Sequence, residues 1–217
     1  MAMTADGKIA TANHAVSAFG SRRDHEHLLE LRATADSVMA GAATVNAARI
    51  NLGPGAAKFR RRRLKHGMEE YNLRVIVSGS GSVNPGAEIF RRHFSPIIVL
   101  TTGRISKTNF IKLKTVATEV KTCGKTKINF RTALSWLREK WGVKRLLCEG
   151  GGELNNALFR VGLVDEIHLT ICPKIFGGRS SPTIADGQGF QRLAEAKGFS
   201  IRFISQFNDE LFTVFSK

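Results

Sequence analysis

Residues 149–154, Glu-Gly-Gly-Gly-Glu-Leu, combine a carboxylate with consecutive glycines and are the part of this sequence best suited to chemistry. A short apolar run, Leu146 to Cys148, precedes them, and apolar residues recur at helical spacing from Leu154 onward. This pattern predicts a strand, a glycine turn and a helix. Glycines let the backbone approach a ligand closely, and the free amides at a helix N-terminus favour a phosphate or pyrophosphate. A tight turn that binds nothing is the alternative, because no Walker-type or Rossmann spacing is present.

Turns of small residues also follow three other predicted strands. The strands and their turns are residues 37–40 with 41–45, residues 74–77 with 78–82, and residues 97–100 with 101–103. In the first of these turns, Thr44 has a hydroxyl that can reach a phosphate or can simply cap the helix that follows. The alternation of strands and helices predicts a mostly parallel sheet covered on both faces, in which ligands bind beyond the carboxyl ends of the strands. Because the same kind of turn recurs at several strand ends, the binding interpretation is favoured over the structural one.

Other segments complete the α/β pattern. They are helices at residues 21–35 and 132–140, a strand at residues 116–120, a hairpin around Asn208 and Asp209, and a turn at Asp6 and Gly7. Ser21 is a suitable cap for the first helix, whose face includes Leu28, Leu31, Arg32 and Ala35. The turn at Asp6 leaves room for only a very short first strand, unless the chain starts further upstream.

Length and composition indicate one globular α/β domain. The chain has 217 residues, and a hydrophobic content of 42% is enough for a sizeable core. No apolar run reaches the ~18 residues that a membrane span needs. The N-terminus lacks a basic segment followed by an apolar one, so we expect no secretory signal. The three cysteines are far apart, which predicts a reducing cytoplasm and no metal site.

The net charge of +15 predicts attraction to anions such as phosphorylated small molecules, a dinucleotide or nucleic acid. Part of this charge lies in residues 58–66, Lys-Phe-Arg-Arg-Arg-Arg-Leu-Lys-His. A solvated surface loop is the default interpretation of such a run, and a nucleic-acid patch is the alternative. No RNA-binding or zinc-finger motif accompanies it.

Taken together, these motifs resemble the reductase family of bacterial and archaeal riboflavin biosynthesis. This family comprises the C-terminal domain of the bifunctional deaminase/reductase and the stand-alone reductases. The matching segments, in family order, are residues 3–10, 32–45, 149–154, 162–166 and 173–178. The resemblance implies an α/β, dihydrofolate reductase-like fold with a mostly parallel central sheet, helices on both faces and a C-terminal antiparallel hairpin. It also implies a single reductase domain over residues 1–217, without the zinc motifs of the fused deaminase, and a homodimer.

The activity implied by the resemblance is NADPH-dependent reduction of a ribosylamino group to a ribitylamino group on a pyrimidine 5′-phosphate. The implied cofactor contacts are Phe19, Gly41, Ala42, Thr44, Ser78, Gly79, Gly150, Gly151, Gly152, Glu153 and Leu154. The implied substrate contacts are Ser17, Leu52 and Glu149. Asp6 and Lys8 lie in the same cleft region of the family.

The sequence departs from the family pattern at three places. Ala48 stands where a cofactor-contacting Asp is expected, and Gly55 stands where the bacterial enzymes have a substrate Arg. The Asp-Ser turn after the third strand is replaced by Ser78-Gly79. These changes leave open a reductase of the same fold that acts on another pterin- or pyrimidine-like compound. A non-enzymatic RNA-binding protein that uses the arginine run is a further alternative.

Hydride transfer requires the nicotinamide to be held about 3–3.5 Å from the acceptor carbon, with water excluded. The acceptor would be the ring-opened imine of the ribosylamine, so one proton donor is useful. Glu149 is the first catalytic candidate, for orienting the substrate or relaying a proton, and Asp6 and Lys8 are the second. The structural alternatives are a helix-capping carboxylate for Glu149, a turn former for Asp6 and a solvated side chain for Lys8.

Overall fold

Two β-sheets form the framework of the computed structural model, which describes residues 1–14, 19–47 and 50–217. The chain divides into two compact units, one made of Met1–His27 and Gly150–Lys217 and the other of Leu28–Glu149. Each unit contains one of the sheets, and the division falls within the first helix.

The elements follow one another in an order close to that predicted. They are β1 (Ala2–Thr4), α1 (Arg22–Arg32), β2 (Ser37–Gly41), α2 (Ala42–Ala47), α3 (Ala57–Lys65), β3 (Leu73–Val77), α4 (Glu88–Arg91), β4 (Ile97–Thr101), α5 (Lys107–Val116), β5 (Glu119–Thr122), α6 (Phe130–Trp141), β6 (Leu146–Cys148), α7 (Gly152–Arg160), β7 (Glu166–Cys172), a 3₁₀ turn (Leu193–Glu195), β8 (Ser200–Phe207) and β9 (Glu210–Ser216). None of the helices within the described ranges is both long enough and apolar enough to cross a bilayer.

The unit Leu28–Glu149 is built on a five-stranded sheet with the order β5-β4-β3-β2-β6. All neighbouring strands in it run parallel. The inner strands consist mostly of buried apolar residues, and Val38, Ile76 and Val99 belong to one buried cluster, as expected for strands that are covered on both sides. Because crossovers between parallel strands are right-handed, the connections that lead outward from β2 and the one that returns to β6 cover opposite faces. The predicted parallel sheet with helices on both faces is therefore confirmed.

One predicted strand is wrong in its bounds, and a helix was missed beside it. Residues 116–120 were predicted as a strand, but Val116 is the last residue of α5 and the strand β5 begins at Glu119. The hydroxyl of Ser106 accepts a hydrogen bond from the amide of Asn109 and so caps α5. The strand β5 has the sequence Glu-Val-Lys-Thr at the edge of the sheet, and such a polar segment gives little periodic signal.

The prediction of a solvated loop for the basic run is also wrong, because most of the run forms α3. Phe59 and Arg63, four residues apart, lie on one face of this helix and are buried. The Arg63 guanidinium donates hydrogen bonds to the backbone carbonyl oxygens of Glu69 (2.8 Å) and Arg32 (3.1 Å). Burial lowers the pKa of Arg63. The helix is thus fixed by its buried face, which charge content alone does not reveal.

The other unit is built on a four-stranded sheet with the order β1-β7-β9-β8. β1 pairs parallel to β7, whereas β9 is antiparallel to both β7 and β8. The predicted terminal hairpin is confirmed, with Asn208 in its turn at a φ of 51°. A positive φ is a conformation that asparagine tolerates better than most residues. The hairpin is thus part of a second sheet, separate from the parallel one, which also includes the short N-terminal strand.

Candidate active site

The carboxyl ends of four parallel strands lie along the same edge of the five-stranded sheet. In the strand register Gly41 is opposite Val77, Val77 is opposite Leu100, and Met39 is opposite Cys148. The residues that follow these positions therefore come together at one edge. This is the arrangement expected from the alternation of strands and helices, and in such sheets it is the edge at which ligands bind.

The end of β2 consists of small residues. Gly41 closes the strand and Ala42 begins α2 directly, with no intervening loop. Thr44 lies in the first turn of α2 and is half-buried, and Val45 packs into the core. Gly41 and Ala42 are partly exposed and Ala43 is exposed.

The end of β3 contains a glycine with open space beside it. The amide of Ser78 donates to the carbonyl oxygen of Leu100 (2.9 Å), and the hydroxyl of Thr102 donates to the carbonyl oxygen of Gly79 (2.6 Å). A Cβ atom added at Gly79 would meet only the Thr102 methyl group, at 3.8 Å, which is ordinary van der Waals contact. Packing within the protein therefore does not require a glycine at position 79. The missing side chain leaves room for a ligand to approach the backbone, so this position fits a bound nucleotide.

The end of β6 carries a nearly buried ion pair. The Glu149 amide donates to the carbonyl oxygen of Met39 (2.8 Å). Its two carboxylate oxygens accept from Nε (2.6 Å) and Nη2 (2.7 Å) of Arg32. The side chains of Arg32 and Glu149 are 9% and 11% exposed. Glu149 thus has the bidentate geometry of a strong carboxylate–guanidinium pair. The N-cap of α7, which was the structural alternative for Glu149, is Gly151.

Arg32 is a site residue that sequence reasoning missed. Its third donor, Nη1, reaches the carbonyl oxygen of Gly53 (2.9 Å). One guanidinium therefore links the end of β6, the last residue of α1 and the loop after α2. The available signal was an arginine on the helix face formed by Leu28, Leu31 and Ala35, since arginine is rarely buried without a partner.

The predicted substrate contact Leu52 lies in the loop that Arg32 supports. Its side chain is 0% exposed and belongs to the core of its unit. Its φ is 58°, and its carbonyl oxygen accepts from the side-chain amide of Asn72 (2.7 Å). The residue is therefore fully enclosed by its own unit, main chain included. Gly55, with a φ of 80°, packs against Leu29.

The predicted glycine turn lies in the other unit, immediately after Glu149 in the chain. Gly151 is the N-cap of α7 and supplies no side-chain hydrogen bond to the first turn. The amides of the first helical residues, Gly152, Glu153 and Leu154, are therefore not capped by a side chain of the N-cap residue. Amides of this kind suit an anion such as a diphosphate. Gly150 has a φ of 80°, a conformation that favours glycine.

Gly152 has a structural reason to be glycine that the sequence does not show. An added Cβ atom would collide with the Asp186 carboxylate and would lie 2.5 Å from the carbonyl oxygen of Thr183. The Gly152 carbonyl oxygen also accepts from the amide of Asp186 (3.0 Å). Packing against residues 183–186 is therefore sufficient to explain why position 152 is a glycine.

Three further predicted residues contact one segment, residues 176–181. The Phe19 ring packs edge-on against Phe176 with a centroid distance of 5.0 Å. The Asp6 carboxylate accepts from the amide of Gly177 (2.7 Å), and Nζ of Lys8 donates to the carbonyl oxygen of Ser181 (3.3 Å). The structure thus brings Asp6, Lys8 and Phe19 to the same loop.

The contacts of Asp6 are those of a turn former, the alternative considered for it. The Thr4 hydroxyl donates to its carboxylate (2.5 Å). This hydrogen bond, followed by weaker contributions from the amides of Gly177 and Phe176, lowers the pKa of Asp6 below its ordinary value despite an opposing effect of burial. Ser17, predicted to contact substrate, and Ala48 lie outside the described residues.

The sequence matches a known family along almost its whole length. The model of the RibD C-terminal domain matches residues 1–205. The 2,5-diamino-6-ribosylamino-4(3H)-pyrimidinone 5′-phosphate reductase of Archaeoglobus fulgidus is 31% identical over 212 residues, which cover 94% of this chain and 95% of that protein. The protein of the same name from Methanothermobacter thermautotrophicus is 30% identical over 202 residues, covering 90% of this chain and 85% of the relative.

Solved structures share the fold. A pyrimidine reductase-like protein from Corynebacterium diphtheriae superposes with a TM-score of 0.78 at 21% identity, covering 99% of this chain and 88% of the other. RibD of Acinetobacter baumannii superposes with a TM-score of 0.76 at 18% identity, covering all of this chain and 56% of the other. At these identities the superpositions establish the fold alone.

Proposed function

Because the chain belongs to the RibD C-terminal domain family, we propose that it is an NADPH-dependent oxidoreductase of riboflavin biosynthesis. Its proposed reaction reduces the ribosyl group of 2,5-diamino-6-ribosylamino-4(3H)-pyrimidinone 5′-phosphate, or of the deaminated form, to ribityl. The observation that carries this proposal is the alignment of small-residue strand ends along one edge of the parallel sheet. The family model spans residues of both units, so we propose that they act as one reductase domain.

We assign the cofactor to the backbone at the strand ends and to the turn that follows β6. Gly41 ends β2, Ala42 and Thr44 follow it, and Ser78 and Gly79 follow β3. In the turn after β6, the first-turn amides of α7, which the side chain of the N-cap Gly151 cannot cap, are the proposed partners of the diphosphate. The net charge of +15 favours an anionic cofactor and a phosphorylated substrate.

When bound, NADPH supplies a hydride. We propose that the hydride adds to the imine carbon of the ring-opened ribosylamine, that the C=N electron pair moves to nitrogen, and that one proton neutralises the nitrogen. Glu149 has both oxygens committed to Arg32, so its proposed role is to orient the substrate. Asp6 has a lowered pKa and carries no proton to donate near neutral pH. Among the predicted catalytic residues, the Lys8 ammonium therefore remains as the proton donor.

The activity is tested by mixing the purified protein with NADPH and the ribosylaminopyrimidine phosphate and following the absorbance of the reduced nicotinamide. Dihydrofolate in place of the pyrimidine tests the alternative substrate class, and NADH tests the choice of cofactor. We expect turnover with the pyrimidine and a preference for NADPH. No oxidation of either nucleotide with the pyrimidine would contradict the proposal, and turnover of dihydrofolate alone would support the other substrate.

Replacing Gly79 with alanine is expected to weaken NADPH binding about tenfold, a loss of ~1.4 kcal/mol, and to leave the fold intact. The added methyl group occupies the open space beside the strand end and has only an ordinary contact with Thr102. Nucleotide fluorescence titration measures the affinity. Gly198→Ala is the matched control, because a Cβ atom there has no neighbour within 4 Å. Equal affinities of the two variants would remove Gly79 from the cofactor site.

We also propose that the chain forms a homodimer through β8. This strand is at the edge of the four-stranded sheet, and its large apolar side chains are exposed. Ile201 is 60% exposed, Phe203 53% and Ile204 56%. A long apolar edge strand is an aggregation hazard unless another chain covers it, and two copies of one strand can pair antiparallel across a twofold axis.

Light scattering coupled to size-exclusion chromatography is expected to show a dimer for the wild type and a monomer for Phe203→Lys/Ile204→Lys. Lysines on an edge strand oppose pairing because their charges would be buried between the copies. Leu193→Lys is the control, since Leu193 is 92% exposed and lies outside β8. A monomeric wild type, or a double variant that stays dimeric, would refute this interface.

The buried cysteines support the prediction of a reducing compartment, for which we propose the cytoplasm. Cys123 and Cys172 are buried thiols. Burial raises the pKa of Cys123, and burial together with the neighbouring Glu210 carboxylate raises that of Cys172 to about 12. Thiols with such pKa values carry little thiolate and are correspondingly unreactive.

A further inference from the structure

The basic helix α3 has two distinct sets of cationic side chains. Arg63 is buried and donates to backbone carbonyl oxygens. Arg60 donates to the Glu70 carboxylate (2.8 Å) and to the Tyr71 hydroxyl (2.7 Å). These contacts fix the inward side of the helix to its unit. The charge of Arg60 and Arg63 is therefore used within the protein.

The remaining cations of α3 all lie on its outward face. Lys58, Arg61, Arg62 and Lys65 are exposed and follow one another at offsets of 0, 3, 4 and 7, which places them on one side of a helix. Together they line a shallow concavity of about 300 Å³. Phe59 and Arg63 on the other side of the same helix are buried, so they hold this basic surface in place on its unit.

This charge pattern opposes the stability of the helix that carries it. Residues 57–68 contain no Asp or Glu, and the N-cap Ala56 makes no side-chain cap. Lys58 is in the first turn, where the helix dipole disfavours a cation. Like charges three and four residues apart repel, as Arg61 and Lys65 do. A polyanion bound to this face would relieve the repulsion, which solvent exposure alone does only in part.

We propose that the outward face of α3 binds the phosphate backbone of double-stranded nucleic acid, without reading its sequence. A double-stranded nucleic acid carries more phosphates per unit length than a single strand does. Arginine and lysine contacts to these phosphates position a protein without specifying bases. The nearby aromatic rings do not offer a stacking platform for single strands, because Phe59 is buried and Tyr71 stacks on Phe94 at 4.8 Å. A membrane is disfavoured because, of the two large apolar residues of this helix, Phe59 faces the core and only Leu64 is exposed, which is less than the apolar face of a membrane-binding amphipathic helix. This function goes beyond the proposed reductase activity.

The test is fluorescence anisotropy of the full chain with a labelled duplex RNA and a duplex DNA of the same sequence, over a range of salt concentrations. We expect binding that weakens steeply with salt, with dissociation constants of roughly 10⁻⁶ to 10⁻⁴ M near physiological salt. Arg61→Gln/Lys65→Gln should weaken it more than about tenfold at low salt and reduce the log–log salt slope by about 2. RNA and DNA should bind alike, since only the backbone is contacted.

The matched control is Lys107→Gln/Lys112→Gln, which removes the same net charge from exposed positions on α5. Equal loss of binding in both double variants would overturn the proposal, because it would assign the binding to net charge alone. Binding of anionic vesicles in preference to duplexes would also overturn it. The reductase activity of Arg61→Gln/Lys65→Gln should equal that of the wild type. A fall in kcat/KM that matches the loss of duplex binding would instead assign this face to steering of the anionic substrate.

Discussion

Replacing Arg32 with methionine is expected to lower the free energy of unfolding by about 3–5 kcal/mol. The substitution keeps most of the side-chain volume and removes the charge that pairs with Glu149. The Glu149 carboxylate is then left almost buried without its partner, and the Gly53 carbonyl oxygen loses a donor. In both cases a buried polar group loses a hydrogen-bond partner, which lowers the stability of the folded state. Urea denaturation followed by circular dichroism measures the change.

Two further variants separate this effect from the loss of any salt bridge. Arg92→Met breaks a pair with Glu88 in which the Arg92 side chain is 63% exposed, so we expect a loss below about 1 kcal/mol. The double variant Arg32→Met/Glu149→Met removes both charges and should be more stable than Arg32→Met alone. If the single and the double variant were equally unstable, the ion pair would not be the source of the effect.

Replacing Gly152 with alanine is expected to destabilise the protein by about 1–3 kcal/mol, as other overpacked sites do. The new methyl group would meet the Asp186 carboxylate and the Thr183 carbonyl oxygen. Neither can withdraw easily, because the Asp186 carboxylate accepts from the amide and the hydroxyl of Thr183. Thr183 itself forms a β-bridge with Lys8. Thermal unfolding measures the loss.

The control for Gly152 is again Gly198→Ala, which has open space around the added methyl group. We expect its melting temperature to stay within about 2 °C of the wild-type value. NADPH titration of Gly152→Ala adds a functional readout, because the displaced turn carries the first amides of α7. A variant as stable as the wild type would show that residues 183–186 adapt, and Gly152 would then be explained by ligand approach.

The parts of the fold that could be predicted are those whose signal is local. β3 contains the apolar run 75–77 and β4 the apolar run 97–100, and Gly142, with a φ of 67°, ends α6 in the conformation that glycine favours. The family segments supplied the order of the elements. The predicted bounds of β5 were wrong, and α5 before it was not predicted, because the strand is polar and lies at an edge. Local periodicity carries little information for such a segment.

In the candidate site, the sequence alone indicated positions defined by the local backbone but not the contacts between distant side chains. The strand-end glycines followed from sequence, whereas the partner of Glu149 did not, because Arg32 is 117 positions away in the chain. The packing of Asp186 on Gly152 is likewise a contact between distant segments. In the same way, the basic run was assigned to a loop because nothing in its sequence shows that Arg63 finds buried carbonyl partners.

The order of the parallel strands also determines where a ligand can enter. From β2 the chain proceeds through β3, β4 and β5 to one side, and it resumes on the other side with β6. In α/β proteins a crevice opens above the strand ends at such a topological switch point. Gly41 and Glu149 lie at the carboxyl ends of β2 and β6, the adjacent strands between which the switch point falls. Its location is a property of the winding of the chain, so it should persist in variants that change any single side chain around it.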